Sequence, residues 1–280
     1  MKRKGIVLAI EMALLMAGLV STGFAQRQPT RRIVHVTGNL YRAQNNNHFT
    51  VLLVTAEGII LSDPINRDFS TWLKTELDSR FGLPVRYILY SHSDADHASG
   101  GEVFADTAEF VGHENMRNGL PEGVHAPTTF YSDRHLVTLG GKRVEMIHPG
   151  PAHSANMSVL RFPAENALFV VDFVSIKRLP FQNLAGYDLE VWLSEMRTVE
   201  AFQADFVIPG HGQVGTTDDV VDHRHYVEAL RDAVGEAIAA GRSLSQMQES
   251  IRLESYRDWA SFDAWRAANI EGMYNMLQGN

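Results

Sequence analysis

The chain has 280 residues, 45% of them hydrophobic and 21% charged, which is enough apolar material for one sizeable buried core and excludes a disordered or fibrous protein. Its 25 Lys+Arg against 33 Asp+Glu give a formal net charge of −8, and no basic run offsets that balance, so a nucleic-acid partner is not expected. There is no cysteine, which excludes disulfides, thiolate metal ligands and a cysteine nucleophile.

The amino terminus reads differently from the rest. Lys2, Arg3 and Lys4 precede an apolar run from Ile6 to Val20, and small residues lead to Ala25. This is the layout of a secretory signal cleaved after Ala25, with Glu11 its one blemish. The run is too short for a comfortable membrane span. The expectation is a periplasmic or secreted protein with no stable membrane span after cleavage. Losing Lys2, Arg3, Lys4 and Glu11 would leave 22 basic against 32 acidic residues. Residues 26–32 are expected to be a flexible leader, 33–217 the main domain, and 218–280 a helical extension packed on it.

Short β-rich segments follow at Ile33–Val36, Leu40–Arg42, Thr50–Thr55 and Ile59–Leu61, broken by Gly38-Asn39, the Asn45–Asn47 run and the Ala56-Glu57-Gly58 turn. Trp72, Leu73 and Leu77 lie at helical spacing within Ser70–Phe81, with Gly82 as a stop. Val85–Tyr90 reads as a buried strand, Gly100–Phe104 as a helix start and Glu109–Val111 as a short strand. A second strand set spans His135–Leu139, Arg143–His148, Ser158–Phe162 and Ala167–Val171. A helix over Glu190–Phe202 and a strand over Phe206–Ile208 follow, then helices over 218–240, 244–252 and 261–277. Two β-rich halves, each with helices, predict an α+β protein, a four-layer αββα sandwich with a helical C-terminal extension, in preference to an alternating parallel sheet.

The chemistry concentrates in Ser91-His92-Ser93-Asp94-Ala95-Asp96-His97, where four metal-competent side chains fall within six residues. On an extended loop, residues 92, 94 and 96 would converge on one side, with His97 turned away. Imidazole and carboxylate are the usual ligands of zinc and related divalent ions. A polar surface loop is the bland alternative. Three further strand ends weigh against it: Gly150-Pro151-Ala152-His153-Ser154, Val170-Val171-Asp172 and Pro209-Gly210-His211-Gly212. A carboxylate closing a strongly apolar strand is costly unless something pairs with it.

With these residues the chain resembles the metallo-β-lactamase superfamily, whose pattern is H-x-H-x-D-H followed by a His, an Asp and a His. His92, Asp96 and His97 match the first part, and His153, Asp172 and His211 the second, over about residues 33–215. Asp94 departs from it, standing where His is usual. The resemblance implies two divalent ions, zinc first, with iron or manganese as alternatives. One would be held by His92, Asp94 and His153, the other by Asp96, His97 and His211, with Asp172 bridging. It implies a metal-bound hydroxide attacking a lactam, lactone, (thio)ester or phosphodiester bond of a small molecule, with Asp96 orienting that hydroxide and β-lactamase-like activity included. Asp94 makes the centre less positive, so it should acidify water less and tolerate harder metals. A carboxylate there resembles the flavodiiron branch, which keeps an iron-dependent redox or dioxygenase-type activity as the alternative. A binding protein that has lost its chemistry is a third, opposed by the complete ligand set.

Lys177, Phe181 and Tyr187 are candidate substrate contacts, because they follow Asp172 closely and a cation there can hold a carboxylate. The remaining histidines read as surface or core residues, with His48 and His113 set apart because loops of the family that the chain resembles often line the cleft there. Aromatic residues of the tail, among them Tyr256, Trp259 and Trp265, read as packing onto the sandwich or as a homodimer contact, with binding of an extended apolar ligand the less favoured alternative.

Overall fold

The computed structural model describes residues 28–279. The expected signal segment and its cleavage point lie outside the described residues. Seven strands form a first sheet: β1 (Arg31–Thr37), β2 (Leu40–Asn45), β3 (His48–Thr55), β4 (Gly58–Leu61), β5 (Val85–Leu89), β6 (Glu109–His113) and β7 (Thr129–Tyr131). β1 to β4 are antiparallel, and β4 to β7 run parallel. The second sheet, in spatial order, is β12 (Phe206–Pro209), β11 (Ala167–Val170), β10 (Val159–Phe162), β9 (Lys142–Ile147) and β8 (Arg134–Leu139), with β11 and β12 its parallel pair. β1 begins at Arg31, inside the segment expected to be a flexible leader, because Arg31 and Arg32 already pair with Asn45 and Gln44.

Alternation along the strands builds the layers. Val51 and Leu53 of β3 face Phe169 and Val171 of the second sheet in a core between the sheets. Leu52 faces outward onto Phe69, Leu73 and Leu77 of α1 (Arg67–Phe81). On the far side, Leu168 and Val170 pack against α3 (Leu189–Glu200), α4 (Thr217–Ala239) and α6 (Phe262–Gln278). The short α2 (Ala95–Ala98) and α5 (Leu244–Ser250) complete the helices described below. The result is the expected αββα order.

Helix starts follow their caps. Asn66 accepts a hydrogen bond from Phe69 N–H at 2.9 Å, so α1 starts ahead of the expected Ser70. Asp188 caps α3, and Thr216 with Asp219 forms a capping box on α4. Gly100–Phe104, expected to open a helix, makes only a 3-10 turn over Gly101–Phe104. β7 has no sequence signal, being a three-residue edge strand just after Pro127. Among the described residues no helix is long and apolar enough to cross a membrane.

Candidate metal centre

The site lies at one end of the sandwich, where β5, β11 and β12 of the two sheets end. β5 stops at Leu89. The chain bends at Ser91 and is extended at Asp94, after which the Asp94 carbonyl accepts from His97 N–H at 3.0 Å and Ala98 N–H at 2.8 Å, winding the single turn α2. The expected convergence of residues 92, 94 and 96 on one side of an extended loop therefore fails beyond Asp94. The turn carries Asp96 and His97 away together, and His92 stays with Asp94.

Two outer ligand-grade clusters result, one of His92, Asp94 and His153, the other of Asp96, His97, His211 and His48, and a third group of His92, His97 and Asp172 joins them. Asp172 lies between them. Its Oδ2 is 3.3 Å from His92 Nε2, 3.4 Å from His97 Nε2 and 3.4 Å from His153 Nε2, and its Oδ1 is 3.3 Å from His211 Nε2. Asp94 Oδ2 is 3.3 Å from His153 Nε2 and 3.6 Å from His92 Nε2. The structure thus brings all seven expected residues into one place.

His48 joins them although its pattern marks it as an ordinary histidine. It opens β3, and its Nε2 sits 3.1 Å from Asp96 Oδ2. The hairpin between β2 and β3 also supplies Asn47, whose carbonyl accepts from His211 Nδ1 at 3.0 Å. The signal that set it apart was the family resemblance, in which loops there often line the cleft; His113, set apart with it, does not join the cluster.

A buried scaffold aims the imidazoles. Asp63, fully buried at the end of the β4 segment, accepts from Ser91 N–H at 2.8 Å and from Ser91 Oγ at 2.6 Å. With its proton given to Asp63, Ser91 Oγ accepts from His92 Nδ1–H at 2.9 Å, which turns Nε2 toward the site. The Asn47 carbonyl does the same for His211. Asn156, which fits a glycosylation acceptor by sequence, is buried. Its Oδ1 accepts from Ser93 N–H and its Nδ2 donates to Ser93 Oγ, both at 2.9 Å. Gly210 is required beside His211, because a Cβ there would lie 2.6 Å from Val171 Cγ1 and 2.9 Å from His97 Cε1.

The electrostatics call for a cation. Burial opposes charge on His92, but Asp172 and Asp94 outweigh it and push its pKa up to about 10. Burial also opposes the charge on Asp172, yet His97, His211 and His92 hold it well below the usual carboxylate range. His92 Nε2 is within ion-pair reach of both Asp172 and Asp94 but makes a hydrogen bond to neither. Asp172 itself has φ +64°, a left-handed backbone that a non-glycine residue adopts only where the surroundings enforce it. An orphaned imidazole nitrogen facing carboxylates and further imidazoles belongs to the kind of donor set that divalent metals take, the metal displacing the proton.

A cavity of about 650 Å³ opens over these groups, lined by Asp94, Asp96, His153, Asp172 and His211 and walled by Val174, Phe181, Tyr187 and Trp265. Phe181 and Tyr187 line it as expected, and Tyr187 Oη donates to the Asp172 carbonyl at 3.0 Å. Lys177 does not line it. Its ammonium is bound to Asp222 and lies 3.3 Å from Asp219, both on α4. The cation in the cavity is its neighbour Arg178.

A family profile described as "Metallo-beta-lactamase superfamily" matches residues 70–211, half of the chain. The chain belongs to the metallo-β-lactamase superfamily. It is 30% identical over 197 residues to the 2,4-dinitroanisole O-demethylase subunit alpha of a Nocardioides species, a match covering 66% of this chain and 58% of that protein. To the linear primary-alkylsulfatase of a Pseudomonas species it is 24% identical, over 65% of this chain and 44% of the other. The chain therefore spans about half the length of these relatives. Its fold is similar to that of a metallo-beta-lactamase from Pontibacter korlensis, with a TM-score of 0.64 at 20% identity, covering 71% of this chain and 99% of the other.

Proposed function

We propose that this metallo-β-lactamase superfamily member is an exported hydrolase that uses two divalent ions, zinc first among them, on a small-molecule substrate. The observation that carries this reading is the Asp172 carboxylate set among four imidazole Nε2 atoms at 3.3–3.4 Å between the two clusters. His92, Asp94 and His153 would hold one ion, Asp96, His97 and His211 the other, and Asp172 both. Such a pair supplies acidified water and polarises a substrate oxygen.

The chain's own residues do the rest. Ser91 and Asn47 keep His92 and His211 in the tautomer that presents Nε2. Asp96 Oδ2, beside His48 Nε2, stays ionised, since the His48 contact and nearby His97 outweigh burial. It is placed to orient the attacking water and to pass its proton to the leaving group, with His48 as the neighbouring proton carrier. The bond classes are lactam, lactone, (thio)ester and phosphodiester. The likeness to the demethylase and the alkylsulfatase adds aryl methyl ether and sulfate ester to the bonds worth assaying.

The test is a substrate panel on purified, metal-analysed protein: nitrocefin, lactones, thioesters, bis-p-nitrophenyl phosphate, 4-nitrophenyl sulfate and nitroanisoles. Turnover restored to chelated protein by zinc is expected. Failure to take up any transition metal would overturn the reading. Asp94 within ligand distance of His153 and His92 favours a second reading, an iron-dependent redox enzyme. Native protein with stoichiometric iron and a visible absorption band would select it. Export is checked by the amino-terminal residue of the periplasmic fraction, expected to be Gln26.

A further inference from the structure

Building on the hydrolase reading, we propose that the cavity mouth is a subsite for an amphipathic organic anion, with an oxyanion on Arg178 and an aryl or other apolar body against Trp265 and Phe181.

Three side chains from two distant segments make this wall. The Arg178 guanidinium lies over the Trp265 ring, 4.5 Å from its centroid. Phe181 meets the same ring edge to face at 5.2 Å. Trp265 comes from α6, beyond the residues that match the family profile. Phe181 is 61% exposed, a large apolar ring presented to solvent beside an apolar floor of Val174 and Ala185.

Arg178 is the unusual member. Among the described residues no carboxylate lies within ion-pair distance of its guanidinium, and no hydrogen bond from it is found, whereas Lys177 beside it has two carboxylates. Its stem is held against the His211 loop: a Cβ on Gly212 would lie 3.8 Å from Arg178 Cδ. Burial weakens its hold on the proton, and the charge that chiefly opposes this is Asp172, which four imidazoles already share. Its donors face the cavity and are free to take an oxyanion. The guanidinium fork fits an oxyanion with two parallel hydrogen bonds while its face stays on the indole. An anion so held leaves the reacting end of the molecule over the metal-facing groups of the same cavity.

The experiment titrates zinc-loaded protein calorimetrically with 2-naphthoate and with the neutral 2-naphthamide. Naphthoate should bind at least about tenfold more tightly, a difference of about 1.4 kcal/mol. Arg178→Gln should abolish that preference with metal content unchanged, and Trp265→Ala should weaken both ligands. Arg178→Lys, which keeps the charge and loses the fork, should retain only part of the preference and serves if the Gln variant does not fold. Equal affinity for the two ligands, binding of neither, or a preference surviving in Arg178→Gln because the carboxylate sits on the metals, would each overturn the proposal. Hydrolysis of the panel by protein lacking any anion preference sinks the subsite alone. An Arg178-dependent preference in protein that hydrolyses nothing under any metal sinks the hydrolase reading alone.

Discussion

Asp172 occupies a backbone conformation costing about 1–3 kcal/mol, and it does so to put one carboxylate within reach of four imidazoles. Its removal should therefore do more than weaken one contact. Asp172→Ala is expected to lose at least one metal ion, measured by atomic absorption, and to lower turnover by more than about 100-fold, since removing even an outer partner costs about 10–100-fold. A full metal complement in that variant would contradict the bridging role. Asp94→His removes one negative charge from the centre, so it should raise zinc affinity and shift the pH optimum downward; an unchanged pH–rate profile would count against the charge argument. The 92–97 cluster was legible because four ligand-type side chains stand together in sequence. His48 was not, because only the β2–β3 hairpin carries it to Asp96. Sequence order alone does not say which of the two adjacent cations, Lys177 or Arg178, faces inward. Lys177 has φ +47°, so the loop there is not extended and alternation does not apply.

At the level of elements, long periodic segments were legible and short ones were not. β3, β11 and α3 announced themselves through apolar runs and caps. β7 and the turn α2 did not, the first being three residues at a sheet edge and the second being hidden inside the ligand motif. That hidden turn decides the chemistry, since it separates the ligands into two clusters. The loop after β12 is equally constrained. Gly210→Ala would push a methyl group into Val171 and His97, and overpacking of this kind costs about 1–3 kcal/mol. The expected signature is a lowered melting temperature together with weaker binding of the second metal ion in a chelator competition. Lower stability with unchanged metal affinity would show that the loop yields without moving His211.

Across the whole molecule, one buried carboxylate ties stability to pH from outside the metal cluster. Glu195 of α3 is 1% exposed, accepts from Ala152 N–H at 2.6 Å beside the His153 loop, and has no partner for Oε2. Burial pushes its pKa up to about 7 from an ordinary 4.5, only partly offset by the Ala152 hydrogen bond. The folded state thus binds the proton more tightly than the unfolded chain. Its contribution is fully present below about pH 4.5 and is lost as pH rises through about 7. Glu195→Gln should accordingly be more stable than the natural chain above pH 7, by about 1–3 kcal/mol, with the difference shrinking toward pH 5. Denaturant midpoints across that range test it, and a difference independent of pH would refute the assignment.

The cavity's outer wall depends on the end of the chain. Asn269 of α6 is fully buried, accepts from Tyr226 Oη at 2.7 Å and donates to the Pro180 carbonyl at 3.1 Å, pinning the segment that carries Arg178 and Phe181. The ligand set is complete once His211 has been synthesised, but the surface that sorts molecules waits for Trp265 and Asn269. The candidate ligands and the outer wall are thus coded in separate stretches of the chain. Selectivity in this protein can therefore drift through changes in the tail without touching the residues on which catalysis rests.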